Sequence, residues 1–227
     1  MHTWKHGRGY RKRGHKVAGS VELIYRLLMA VDVENHPDRE VREQLQVHED
    51  LSAVLDAAAE QVGLDRPRWE KQKRGDGELA ILPEEVGVAV VGDFVSALEE
   101  RIAEINAARP VRPWLRIRLA IHHGTLTPGP FGPAGDAPIV ISRLLAAPPV
   151  HRLLREREDL DVALVVSSTI YRNVIKTGFC SLDPRHFAPM QTTIKRVQYH
   201  GFTYRPPLRK SKGTTSEGAE IIVFNAS

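Results

Sequence analysis

Apolar positions run almost without interruption from Leu23 to Val33 (LIYRLLMAVDV), the pattern of a central strand buried on both faces. Asp32 breaks that run near its end. From Asp38 to about Val62 the apolar residues Val41, Leu45, Leu51, Val54, Leu55 and Ala58 fall at helical spacing. Pro37 suits a first turn there, and Gly63 closes the element. Trp69 to Lys73, then Arg74-Gly75-Asp76-Gly77 and Leu79 to Leu82, predict a hairpin turning at Gly75-Asp76-Gly77. A second helix carries Val91, Phe94, Val95, Leu98, Ile102 and Ile105 on one face, with Glu99, Glu100, Arg101 and Glu104 on the other.

The segment Leu115 to Ile121 alternates as a strand with one wetter face, and a Gly/Pro-rich loop is expected from Gly124 to Gly135. A helix over Asp136–Ala147 and a buried strand over Val162–Val166 follow. Ser167 then caps another helix, and edge strands are drawn from Thr192–Tyr204 and Ile221–Phe224. Strands alternating with helices in this order give an α+β fold: a ferredoxin-like βαββαβ core with additional C-terminal strands and helices. The domain is expected over residues 21–204, between a basic flexible arm (1–20) and a basic tail (205–227).

With 227 residues, 42% of them hydrophobic, the chain can bury a substantial core. It has no apolar run of the roughly 20 residues that a membrane span needs, and the first 16 residues lack the apolar stretch of a secretory signal, so a cytoplasmic protein is expected. Its one cysteine, Cys180, excludes an internal disulfide framework and reads as a buried small hydrophobe.

The net charge of +4 comes from the ends. Lys5, Arg8, Arg11, Lys12, Arg13 and Lys16 lie in the arm, and Arg205, Arg209, Lys210 and Lys212 in the tail. Without these ten, 22 basic residues remain against 28 acidic ones, of which Glu217 and Glu220 lie in the tail, and the body is acidic. A basic arm can hold phosphates by counterion release, but a solvated terminus explains the same run and nucleic acid is not expected as a partner.

Two carboxylates stand out. Asp32 ends an apolar strand, where burying an unpaired charge costs several kcal/mol unless a partner or metal meets it. Asp76 sits on the neighbouring hairpin, where Gly-Asp-Gly is also ordinary turn chemistry. The fold brings both to one sheet edge, a donor set suited to magnesium with waters and phosphates completing the shell. The adjacent His122 and His123 point to opposite faces of a strand and cannot readily share a metal.

Over roughly residues 22–204 the chain resembles the catalytic domain of class III nucleotidyl cyclases. The resemblance rests on Ala30-Val31-Asp32-Val33-Glu34, on Arg74 to Ala80, on Arg116 to Gly124, and on Gly135-Asp136 through Ser142-Arg143, in that order, with a 44-residue interval from Asp32 to Asp76. It implies that Asp32, Asp76 and the Val33 carbonyl hold two Mg2+ or Mn2+ ions and that the amides of Glu34, Asn35 and His36 lie near a nucleoside triphosphate. It also implies that Arg143 stabilises the transition state, that Gln72 stands at the base-selecting position with Gly132 near its usual companion, and that Lys195 or Arg196 supplies a triphosphate cation. Members act as head-to-tail homodimers with sites built from both subunits. The chain departs from the pattern at Ile139, where an asparagine usually orients the ribose, and in the loop 124–135, which has no Lys or Arg. The implied activity is cyclisation of a nucleoside triphosphate, base unassigned. The alternative is a weak or inactive cyclase-fold domain that senses nucleotide.

Overall fold

A computed structural model describes residues 22–35, 39–88, 90–109 and 114–208. The basic arm, residues 209–227 of the tail and the strand expected at Ile221–Phe224 lie outside them.

The central strand is β1 (Ile24–Val33). It leads to α1 (Val41–Gln61), whose first turn is stapled by the Glu40 amide donating to the Glu43 carboxylate at 3.3 Å. The hairpin β2 (Glu70–Arg74) and β3 (Gly77–Ile81) follows, then α2 (Val90–Ala107) and β4 (Ile117–Leu126). Next come α3 (Asp136–Leu145), α4 (Pro148–Glu156) and β5 (Val162–Ser167), then a hairpin of β6 (Phe187–Ile194) and β7 (Val197–Tyr204). Among the described residues these strands make one sheet in the order β2-β3-β1-β4-β5-β7-β6. Its first four members are antiparallel neighbours with the ferredoxin-like connectivity, and β5 joins β4 in parallel.

Period-two alternation along β1 divides the core. Leu27, Met29, Val31 and Val33 pack with α1 and α2, whereas Leu28 and Ala30 pack on the opposite face with Ala137, Ile141 and Leu144 of α3 and Val150 and Leu154 of α4. Asp32 is next in step with Leu28 and Ala30, so it belongs to the α3–α4 side.

Four expectations are revised. Strand β4 continues through Gly124 to Leu126, because its ladder to β1 runs on to the Ile24–Leu126 pair, and only residues 127–134 remain as loop. The expected helix 136–147 stops at Leu145, and α4, which was not anticipated, starts with Pro148 and Pro149 in the first turn, where a missing amide costs nothing. Strand β6 begins at Phe187, earlier than expected, and β7 pairs with β5, so β6 alone is the edge on that side. Ser167 caps as expected, accepting from the Ile170 amide at 3.3 Å, and Cys180 is buried.

Gly77 fixes the edge that carries the carboxylates. It faces Asp32 across the β1–β3 ladder, and a Cβ there would stand 1.8 Å from the Val31 carbonyl oxygen. Backbone cannot yield as a side-chain tip can. Gly77→Ala is therefore expected to lower stability by about 3 kcal/mol, read as a shift of the urea midpoint.

His122 lies on the α3 side of β4, 8% exposed, with Nδ1 buried and without a hydrogen-bond partner among the described residues. Burial, aided by the charge of His123, drives its pKa from 6.5 down to about 4. The unfolded chain therefore takes up the proton first. Stability that is complete above about pH 6.5 drains away as the pH falls toward 4, by about 2 kcal/mol between pH 7.5 and pH 5. His122→Leu should flatten that part of the profile in urea titrations at the two pH values. A profile as steep as the parent's would assign the loss to other groups.

Candidate functional site

Asp32 is flanked in register by Gly77 of β3 and Arg118 of β4. Arg118 Nε donates to Asp32 Oδ1 at 2.6 Å, and its Nη1 meets His151 Nδ1 of α4, also at 2.6 Å. Both charged side chains are largely covered, Asp32 at 20% and Arg118 at 12% exposure. Asp76 occupies the β2–β3 turn beside Gly75, immediately before the residue that faces Asp32.

Burial raises the Asp32 pKa and the charge of Asp76 adds to the rise, while the bond and charge of Arg118 oppose it. The net direction is upward, so one arginine does not repay the desolvation of this carboxylate. Further positive charge is what the pair would take up. Hard oxygen donors from two carboxylates suit Mg2+ or Mn2+, and the described residues contain no cluster of three or more His, Cys, Asp or Glu that would saturate an ion. The fit leaves coordination positions for phosphate oxygens.

The remaining expected residues are distributed unevenly. Val33 ends β1 with its side chain fully buried. Glu34 closes the β1–β4 edge: its amide donates to the Arg116 carbonyl at 2.9 Å and its carboxylate accepts from Arg116 Nη1 at 2.7 Å. Asn35 adopts a left-handed φ of 54° in the turn that follows. His36 lies outside the described residues.

Gln72 of β2 donates to the Phe131 carbonyl at 3.2 Å and accepts from Arg74 Nη2 at 2.9 Å. Gly132 presses on it so closely that a Cβ there would be 2.7 Å from Gln72 Nε2. Arg143 lies half-buried on α3 and has no hydrogen-bond or ion-pair partner among the described residues, while its neighbour Ser142 accepts from Arg74 Nη1 at 2.8 Å. Ile139, one turn earlier, is 49% exposed. Lys195 and Arg196 form the β6–β7 turn in left-handed conformations. Arg118 stands level with Ala163 of β5, whereas Gly201 of β7 stands level with Ser167 and the turn lies beyond it. Lys195 is thus at the other end of the sheet from Asp32 within one chain.

Two residues of the site escape the sequence reading. Arg118 sits on the wetter face of a strand that was recognised, a charge two positions from Ala120 of the core. His151 belongs to the unanticipated α4.

Solved structures with the same arrangement are cyclase domains. The guanylyl cyclase Cya2 aligns with a TM-score of 0.58 at 12% identity, over 81% of this chain and 93% of that one. An adenylate/guanylate cyclase/hydrolase from Silicibacter pomeroyi aligns with a TM-score of 0.56 at 16% identity, over 82% and 98%. The catalytic core of a rhodopsin-guanylyl cyclase with converted specificity, in complex with ATPαS, aligns with a TM-score of 0.52 at 16% identity, over 81% and 98%. The fold is that of adenylyl and guanylyl cyclase catalytic domains. No family model matches the sequence, and a comparison with curated proteins finds no match. Among the described residues of this cyclase fold, no helix is long and apolar enough to cross a membrane.

Proposed function

We propose that the chain is a metal-dependent nucleotidyl cyclase that converts a nucleoside triphosphate to a 3′,5′-cyclic nucleotide and pyrophosphate as a head-to-tail homodimer. The observation that carries this reading is the meeting of Asp32, Asp76 and Arg118 at one edge of a cyclase-fold sheet. The ribose 3′ oxygen bonds to the α-phosphorus as the bond from that phosphorus to the bridging oxygen breaks, and the hydroxyl proton passes to solvent. Mg2+ or Mn2+, when bound, would supply charge that lowers the hydroxyl pKa and neutralises the leaving phosphates. Asp32 and Asp76 would hold the two ions, with the Val33 carbonyl as a third donor.

Arg118 stands ready beside these carboxylates as a cation for the triphosphate, in keeping with a loop 127–134 that has none. Arg143, unpaired among the described residues, acts on the α-phosphate bound by the partner, and Lys195 reaches the triphosphate only across the same interface. Gln72 faces the base. A second reading, a nucleotide-sensing domain of low activity, is favoured by one observation: Ile139 presents an aliphatic side chain where the resemblance calls for a ribose-orienting amide.

Purified full-length chain with Mn2+ and each of the four nucleoside triphosphates is expected to release pyrophosphate, with the cyclic product and its base identified by mass spectrometry. Nucleotide binding with no pyrophosphate from any of the four would favour the sensing reading.

A further inference from the structure

Arg118 is held at two corners of its guanidinium by residues from different layers. Nε binds Asp32 on β1 and Nη1 binds His151 on α4, each at 2.6 Å. An arginine has no lone pair to offer, so His151 Nδ1 must be the acceptor, with the imidazole neutral and its proton on Nε2. Burial and the positive charges of Arg118 and Arg155 lower the His151 pKa, in keeping with a neutral imidazole.

The bond to His151 has a consequence for Asp32. An arginine fork facing a carboxylate tends to close on both oxygens, and a two-point pair is stronger than a single bond. Here only Oδ1 is engaged, and among the described residues Oδ2 accepts no hydrogen bond. The bond from Nη1 to the imidazole holds the guanidinium in an orientation in which Nη2 makes no hydrogen bond to Oδ2.

We propose that His151 is a positioning residue that restrains Arg118 to one-point contact with Asp32, keeping the second carboxylate oxygen open to a cation. The proposal rests on Asp32 being a metal ligand. It gives α4, which contributes nothing else to the site, a role in setting metal affinity. The same restraint holds Arg118 beside the carboxylates without neutralising them, an arrangement that a triphosphate arriving with its metal would exploit.

The test uses the full-length chain with His151→Phe, which fills the space without an acceptor, and His151→Asn, whose amide oxygen can stand in for Nδ1. In metal-free buffer, a double-mutant cycle of Asp32→Ala and Arg118→Ala, read by urea unfolding, gives the coupling of the pair in each background. That coupling is expected to rise in His151→Phe and to return to the parent value in His151→Asn. Mn2+ affinity, followed by the spin-resonance signal of the free ion, is expected to weaken about three- to tenfold in His151→Phe and recover in His151→Asn, the scale of one additional hydrogen bond to Asp32. Should the Phe variant not fold, His151→Ala takes its place. A coupling unchanged or weakened in the acceptor-free variant overturns the proposal. Mn2+ binding that is indifferent to Asp32→Ala overturns the metal reading instead, and the metal-free cycle still decides the role of His151.

Discussion

Asp32→Asn is expected to reduce pyrophosphate release at least about a thousandfold while leaving unfolding within about 1 kcal/mol of the parent. The amide keeps an oxygen for Arg118 Nε, so the contact at 2.6 Å between β1 and β4 has a replacement. What is lost is the negative charge, and with it a ligand for the divalent ions. Stability changes little because burial already raises the Asp32 pKa despite the arginine beside it. The ionised carboxylate is thus a net burden on the folded chain near neutral pH, and neutralising it removes a desolvation cost along with an attraction. Pyrophosphate release and thermal unfolding of the same preparation separate the possibilities. An aspartate whose only task is to pair with Arg118 would give the opposite outcome, a lowered melting temperature with turnover retained.

Mixing Asp32→Asn chains with Arg143→Ala chains, each expected to be inactive alone, should restore activity approaching half that of the parent per heterodimer. In a head-to-tail pair one composite site collects both lesions and the other collects neither. Arg143 sits on α3 without a hydrogen-bond or ion-pair partner among the described residues, as a residue serving its neighbour would. Differently tagged chains, purified as the heterodimer, provide the measurement. Heterodimers that form but stay inactive would mean that Arg143 serves its own subunit, and the head-to-tail assembly would fall.

The parts of this molecule that could be read from its sequence are those written in local periodicity. The apolar run of β1, the Gly75-Asp76-Gly77 hairpin and the faces of α1 and α2 need only near neighbours to specify them, and each forms where expected. The carboxylate pair followed from them, since an interrupted strand and a turn on an adjacent hairpin share an edge. What escaped depends on partners distant in sequence. The side chain of Glu34 is claimed by Arg116, 82 positions away, and nothing beside Glu34 in the sequence announces it. Gly124 reads as the start of a loop until β1 supplies a ladder for it. Pro148 and Pro149 read as a break, yet they open α4, and with that helix went His151. No pattern within α4 announces that an arginine 33 positions earlier will lie against it.

The loop that lies on Gln72 bears on nucleotide choice. The Gln72 carbonyl oxygen already accepts from Nε and Nη2 of Arg74, while its amide nitrogen gives one hydrogen to the Phe131 carbonyl and keeps the other. The hydrogen that is left can be taken by a ring nitrogen of adenine or by the carbonyl oxygen of guanine, a bond worth about 1 kcal/mol in either case. Adenine and guanine would then compete on nearly equal terms. Preference among nucleotides in this chain would follow cellular abundance and the strength of the phosphate and ribose contacts, and a single substitution at Gln72 would redirect it more readily than in a site built to reject the wrong base.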